Sequence, residues 1–270
     1  MTRFVVVPQW QGSPSSRAMT LIDGADTIAG DLPRSATRRI DVPVEAGETL
    51  DTGIRRFSAL SRTHTLILEA LAEDAQNPAL VVGGDCGVAV AGIASAAART
   101  PDLAVVWFDA HADLNSPETS PSGAFGGMAL RAVAEATAVG EASVTPDRIV
   151  LAGAREFDPG ESEYLTASGI RSVSVDDLAD PNELATAVAA TGATAVYIHV
   201  DLDVLDPAVI GGVGMPVPFG LDVATLTAAI AVVRERVPLA GASLAGFAPT
   251  TPAAAADDMG TILRVIGALA

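Results

Sequence analysis

Three short blocks of this chain carry more chemistry than their surroundings. In the first, Asp109, His111 and Asp113 stand at i, i+2 and i+4 directly after the apolar run that ends in Trp107-Phe108. In the second, Asp201 and Asp203 follow another apolar run, Tyr197-Ile198-His199-Val200. The third, Val81-Val82-Gly83-Gly84-Asp85-Cys86-Gly87, ends in an Asp and the chain's single cysteine. Alternate side chains of extended backbone point the same way, so each of the first two blocks gathers its polar groups on one side. Carboxylates, an imidazole and a thiol beside hydrophobic strands are costly to bury unless a cation or a dense hydrogen-bond network holds them. Carboxylate-rich donor sets suit hard ions such as Mn2+ or Mg2+, and imidazole moves the preference toward Mn2+ and later metals. Asp109, Asp113, Asp201 and Asp203 suffice for two ions sharing bridging ligands, a pair that can ready a water and polarise a substrate.

The neighbours of these residues read more plainly. Cys86 taken alone is a buried thiol of the inert kind and gains meaning only beside the other two blocks. His199 can share the face of Asp201, but it reads first as a satisfied core histidine or as a support for a ligand. Asp206-Pro207 reads as a turn or helix cap.

What positions the blocks is an alternation of strands and helices. Apolar, β-branched runs at Phe4–Val7, Leu80–Val82, Leu103–Phe108, Arg148–Leu151, Ile170–Val175, Thr194–Val200 and Ala242–Phe247 predict strands of a covered parallel sheet. Helices are expected between them at 51–75, 87–99, 159–168, 181–190, 221–237 and 255–269, with Asp51-Thr52 and Asp180-Pro181 as starts. The polar segment 9–48 reads as a long connection with one short helix. The result is an α/β protein whose ligands bind beyond the carboxyl ends of the strands. The loop 115–127, with two prolines and few apolar residues, lies where an active-site loop would lie.

Composition narrows the partners. The 270 residues hold 33 acidic and 16 basic side chains, a net charge of −17, and every basic residue is Arg. Such a surface repels phosphate backbones, so no nucleic-acid partner is expected. No apolar stretch is long enough to span a membrane. One cysteine excludes an internal disulfide, and with no leader-like start we expect a cytoplasmic protein.

The blocks Gly83-Gly84-Asp85-Cys86, Asp109-Ala110-His111-Ala112-Asp113-Leu114-Asn115 and Asp201-Leu202-Asp203-Val204-Leu205-Asp206-Pro207 resemble those of the arginase/agmatinase/formiminoglutamase family, the ureohydrolases. The resemblance covers most of the chain in order and spacing. It implies a single domain over 1–270 with a three-layer α/β/α fold and a mostly parallel eight-stranded sheet. It also implies a binuclear Mn2+ centre whose bridging hydroxide attacks a guanidino or formimino carbon. Carried over, Asp109 and Asp201 bridge the ions, Cys86 and Asp113 complete one, and His111 and Asp203 complete the other. Asn115 and Ser122 match positions that hold a substrate α-carboxylate. Asp158, in Gly153-Ala154-Arg155-Glu156-Phe157-Asp158-Pro159-Gly160-Glu161, matches the residue that binds the α-amino group. Arg155 and Glu161 read as a structural ion pair. Many family members are trimers or hexamers, often held by an extended C-terminal tail; this chain stops at Ala270, so a monomer is expected, with a homo-oligomer as the alternative.

The chain departs from that family pattern at three positions. Cys86 replaces a His, which weakens the case for Mn2+ and admits Zn2+ or Fe2+. Gly126 stands where the family has a proton-shuttling His. Gly246 stands where the family has a Glu that pairs with the guanidinium. A lost general acid–base costs about 10²–10⁴-fold in rate. Either the protein is a degenerate metal binder or its substrate needs less help with protons. N-omega-hydroxy-L-arginine is such a substrate, since its oxygen lowers the basicity of the guanidine, and Gly126 and Gly246 would leave room for that oxygen. Its products would be hydroxyurea and L-ornithine. Asp113 is then the expected proton acceptor. The alternatives are an ordinary arginase or agmatinase whose shuttle is His199, a non-catalytic metal binder, and a deacetylase-like hydrolase of related fold with a different ligand pattern.

Overall fold

The computed structural model describes residues 2–74 and 77–270. In chain order the elements are β1 (Arg3–Val7), α1 (Thr20–Asp31), β2 (Thr37–Arg39), α2 (Phe57–Ala72), β3 (Ala79–Gly83), α3 (Gly87–Ala97), β4 (Leu103–Phe108) and α4 (Ala129–Ala134). They continue with β5 (Ile149–Ala152), α5 (Pro159–Ser168), β6 (Arg171–Val173), α6 (Pro181–Ala189), β7 (Ala195–Asp201), α7 (Val223–Arg236), β8 (Leu239–Ala245) and α8 (Pro252–Leu269). The eight strands form one sheet in the order β2-β1-β3-β8-β7-β4-β5-β6, and every pairing is parallel. "Mostly parallel" is thus sharpened to wholly parallel.

Alternation along the central strands explains the layers. Ala104, Val106 and Phe108 of β4 belong to the buried cluster on one face that also holds Ala25 of α1, Leu226 of α7 and Ile262 of α8. Val105 and Trp107 point the other way, toward Val90 of α3 and Leu130 of α4. Each fully buried aliphatic side chain contributes about 1.5–3 kcal/mol. A run of them on both faces of β4 and β7 lets the ends of those strands carry desolvated carboxylates. The strand order matters equally. β3 and β4 follow one another in sequence, but β8 and β7 lie between them, so the chain leaves the sheet in diverging directions at this point. Such a switch point is where open α/β sheets bind ligands.

Two expectations are corrected. The connection 9–48 holds not only α1 but an eighth strand, β2, whose Arg38 and Arg39 are exposed at the sheet edge; charged edge residues hide the apolar pattern of a strand. The helix expected from Asp51 begins at Phe57, because Leu50, Asp51 and Arg56 all have left-handed backbone. Arg56 stacks its guanidinium 4.6 Å from the Trp10 ring centre and donates to the carbonyls of Gln11 and Ser13, so its side chain serves the loop rather than the helix. The expected end at Ala75 lies outside the described residues, and α2 ends at Ala72. Asp180 does cap α6: its side chain accepts from the Asn182 N–H at 2.9 Å, with Pro181 at the first helical position.

Candidate functional site

The four central strands end around one cavity of about 570 Å³. Cys86 follows β3, Asp109, His111 and Asp113 follow β4, Asp201 closes β7, and Gly246 follows β8. All six expected donors line it.

The donors converge by a turn rather than by continued extension. β4 ends at Phe108, and Asp109 Oδ1 accepts the His111 N–H at 2.7 Å. After β7 the device repeats: Asp201 Oδ1 accepts the Asp203 N–H at 2.9 Å. In both blocks the first carboxylate turns the chain on itself and brings the next donor round beside it. Asp113 is held at φ +52°, a left-handed conformation that costs a non-glycine residue about 1–3 kcal/mol.

Two groups of donor atoms result, each within 4.8 Å of one another: Cys86, Asp109 and His199, and Asp109, His111 and Asp203. Asp109 belongs to both. In the second group His111 Nδ1 lies 3.1 Å from Asp203 Oδ2 and 3.4 Å from Asp109 Oδ1. Asp203 Oδ1 also accepts the Ala110 N–H at 3.1 Å. In the first, Cys86 Sγ donates to Asp201 Oδ2 at 2.9 Å and lies 3.6 Å from Asp109 Oδ2. Trp107 Nε1 donates to Asp109 Oδ2 at 3.2 Å from below. Asp113 Oδ2 and His199 Nε2 are buried without a hydrogen-bond partner.

The electrostatics have one direction. Burial and the charge of Asp203 push Asp201 up to about 7. Burial and Asp109 push Asp203 up to about 6. Burial and the same Asp109 hold Asp113 well above the carboxylate range. The Cys86 thiol is pushed up by burial and by Asp201. Burial opposes a charged His111, but hydrogen bonds and charge from Asp109 and Asp203 outweigh it and raise the ring to about 12. Burial lowers His199 to about 3, so that ring is neutral. Crowded, desolvated anions with an unpartnered carboxylate oxygen are what divalent cations stabilise, and the donor set fits two such ions.

Asp85 stands apart from the donors. Its oxygens accept from Gln9 Nε2 at 2.8 Å, the Gly12 N–H at 2.9 Å and the Gly87 N–H at 3.0 Å, which pins the loop after β1 to the end of β3. Asp206 makes the expected turn, accepting from the N–H groups of Ala208 and Gly220.

The expected substrate contacts line the same cavity. Asn115 Nδ2 donates to Asp158 Oδ2 at 2.8 Å, and Asn115 Oδ1 accepts from Thr119 Oγ1 at 2.9 Å. Ser122 Oγ accepts the Ala124 N–H at 3.2 Å. Arg155 and Glu161 are structural, but they do not pair with each other. Arg155 donates to backbone carbonyls, those of Asp203 at 3.0 Å and Val217 at 2.7 Å among them, and ties the turn after β7 to loop 214–220. Glu161 accepts from the N–H groups of Leu114 and Asp158, a capping box on α5.

Gly126 and Gly246 both line the cavity, but they differ. Gly126 donates its N–H to Gly12 O at 2.8 Å, and a Cβ there would meet that oxygen at 3.0 Å. Gly246 has φ +89°, and a Cβ would fall 2.1 Å from Asp201 Oδ1. This backbone cannot carry a side chain at 246 unless Asp201 moves, so the expectation of room left by a missing Glu is corrected. One wall residue was not legible. Arg17, which among the described residues is the one Arg lining the cavity, donates to Ala248 O at 3.4 Å. It enters from a polar loop 69 residues before the nearest donor, and no local pattern marks it.

Among the described residues no helix is long and apolar enough to cross a membrane. Residues 26–263 match the arginase family. The arginase of Bacillus caldovelox is 33% identical over 199 residues, 67% of each chain. The N(omega)-hydroxy-L-arginine amidinohydrolase of Streptomyces lavendulae is 31% identical over 267 residues, covering 95% of this chain and 93% of that one. In fold, the chain is similar to the arginase of Entamoeba histolytica in complex with L-ornithine, with a TM-score of 0.84 at 23% identity over 99% of this chain and 100% of that one. The chain belongs to the arginase family and is a metal-dependent amidinohydrolase.

Proposed function

We propose that this amidinohydrolase cleaves N-omega-hydroxy-L-arginine to hydroxyurea and L-ornithine. The observation that carries the reading is a full set of six donors beside two wall positions, 126 and 246, that hold no side chain. A protonated guanidinium needs a carboxylate partner and a proton donor for its leaving amine. The N-hydroxyguanidine reaches its neutral form more easily and needs both less. The similarity to the Streptomyces lavendulae enzyme over nearly the whole chain supports the same substrate. We read residues 1–270 as one ureohydrolase unit.

Asp109 and Asp201 would bridge two divalent ions, with Cys86 and Asp113 completing one and His111 and Asp203 the other. Mn2+ is the first expectation, and the thiol admits Zn2+ or Fe2+. Bound there, the ions supply a water of lowered pKa and polarise the substrate. Asp113 Oδ2, buried and unpartnered, would accept a proton from the tetrahedral intermediate that water forms at the guanidino carbon. The bond from that carbon to the ornithine Nδ then breaks, and Nδ gains a proton from water or from the substrate's own N-hydroxyl. The water oxygen ends on hydroxyurea, and the proton held by Asp113 returns to the products or to solvent, so atoms balance. Asn115 and Ser122 would hold the α-carboxylate and Asp158 the α-amino group, and Arg17, which lines the same cavity, would offset the carboxylate's charge.

A substrate panel on the Mn2+-loaded enzyme tests this. We expect kcat/KM for hydroxyarginine to exceed that for arginine by about 10² or more, the size of a missing general acid–base. Agmatine and formiminoglutamate should be poor substrates. Equal rates on arginine and hydroxyarginine would overturn the substrate assignment while leaving the family intact.

A further inference from the structure

His199 is fully buried on β7, two residues before Asp201 and facing the same way. Its ring lies 3.9 Å, centre to centre, from that of Trp107, the matching residue on β4. The two therefore form a layer directly beneath the carboxylates. Trp107 uses its one polar atom upward, donating Nε1–H to Asp109. His199 Nδ1 is taken by Ser243 Oγ of β8 at 2.8 Å. That leaves Nε2, buried and without a partner, on a residue that shares a donor group with Cys86 and Asp109. A buried imidazole nitrogen without a bond carries an uncompensated desolvation cost, which a partner in the metal-loaded protein would remove.

We propose that His199 is a positioning residue for the centre, donating its Nε2–H to the Cys86 sulfur once that sulfur is a ligating thiolate, with the Ser243 hydroxyl donating to Nδ1 and fixing this tautomer. Groups that hydrogen-bond a metal ligand orient it and tune its donor strength, and losing one costs about 10–100-fold in metal affinity. The pairing has a further use for a thiolate. Sulfur is the softest donor in an otherwise hard set, and an N–H bond draws off part of its charge, bringing it closer to the imidazole that usually stands there. The inference rests on the reading that Cys86 binds metal.

The test uses the full chain loaded with Co2+, whose near-ultraviolet thiolate-to-metal charge-transfer band reports the sulfur directly. We expect the band in the native protein and its loss in Cys86→Ser. In His199→Phe it should move to longer wavelength, with Co2+ bound about 10–100-fold more weakly. His199→Gln, which keeps an amide N–H, should restore part of both changes. Ser243→Ala, which leaves the ring in place, should move the band the same way by less. Band and affinity unchanged in His199→Phe and Ser243→Ala would overturn the proposal while leaving Cys86 as a ligand. A rise in the visible d–d intensity in His199→Phe, marking a lost ligand, would overturn it in favour of direct coordination. No charge-transfer band in the native protein would remove Cys86 from the metal, and the proposal with it.

Discussion

The two halves of the donor cluster are built differently. Around His111 and Asp203, facing the cavity mouth, the donor atoms have protein partners: His111 Nδ1 has two carboxylates, and both Asp203 oxygens accept bonds. Around Cys86 and Asp113, deeper in the molecule, the thiol is shared between two carboxylates while Asp113 Oδ2 and His199 Nε2 have none. The outer half is held in shape by its own hydrogen bonds. The inner half is stored at a cost in desolvated groups and in the left-handed backbone of Asp113, a cost that a cation offsets. One half is therefore preorganised, and the other draws its stability from what binds there.

The largest effect should come where the halves meet. Among the described residues Asp109 alone belongs to both donor groups, so Asp109→Asn should remove several kcal/mol of transition-state stabilisation, about 10³-fold or more in kcat/KM. If Asp109→Asn retained more than a tenth of the activity, the halves would not share a ligand and the comparison would fail.

Chelation comes next. If the inner half depends on bound cations, stripping them from a protein held at about 1,000 times the Kd removes about 4 kcal/mol, a fall of roughly 10 °C in Tm for a chain of this size. Calorimetry before and after EDTA treatment, with Mn2+ restored, measures it. The outer half alone should not respond: a Tm indifferent to EDTA and to added Mn2+ would mean that the inner half is not cation-dependent.

A pair of isosteric variants then sharpens the contrast in the chelated protein. Asp203→Asn weakens charge-assisted bonds to His111 and should cost about 1.5–3 kcal/mol in urea unfolding. Asp113→Asn replaces an unpartnered carboxyl that burial and Asp109 already hold toward its neutral form, and should be neutral or stabilising. Both variants should be poor catalysts. Equal destabilisation by the two would erase the distinction between the halves.

Much of the site is legible in the sequence, and the reasons are local. Asp109, His111 and Asp113 stand out because three ligand-capable side chains at alternate positions after an apolar run have little reason to be there except to converge on a cation. Extended backbone accounts for only part of that convergence: Asp109 and Asp201 each fold the chain back through their own side chains. Seven of the eight strands can be read from β-branched runs, but β2 carries two exposed Arg where an apolar pattern would be sought. Periodicity starts helix α2 too early because it says nothing of a left-handed residue such as Arg56. Arg155 and Glu161 are structural, as their types and positions suggest, yet their partners are backbone groups, which no sequence pattern names. Arg17 and the unpartnered His199 Nε2 are products of tertiary packing and carry no signal in the sequence at all.

The two glycines of the wall give the last and smallest contrast, and it reaches back to the inner half. A Cβ at 246 would strike Asp201 Oδ1 at 2.1 Å on a backbone of φ +89°, and the other oxygen of that carboxylate accepts the Cys86 thiol. Gly246→Ala should therefore cost about 1–3 kcal/mol of stability and loosen metal binding together. A Cβ at 126 meets only Gly12 O at 3.0 Å, on a backbone of ordinary φ, so a shift of a few tenths of an ångström in that loop accommodates it. Gly126→Ala should change Tm by no more than about 2–4 °C, near 1 kcal/mol, and leave the ions bound. Gly126→His follows from the same geometry: with a ring added at the wall and the ions undisturbed, activity on arginine should rise relative to hydroxyarginine. Gly246→Glu should not produce this gain, because its side chain must first displace Asp201. A gain on arginine from Gly246→Glu alone would mean that Asp201 yields readily, and that the inner half is softer than its crowded hydrogen bonds imply.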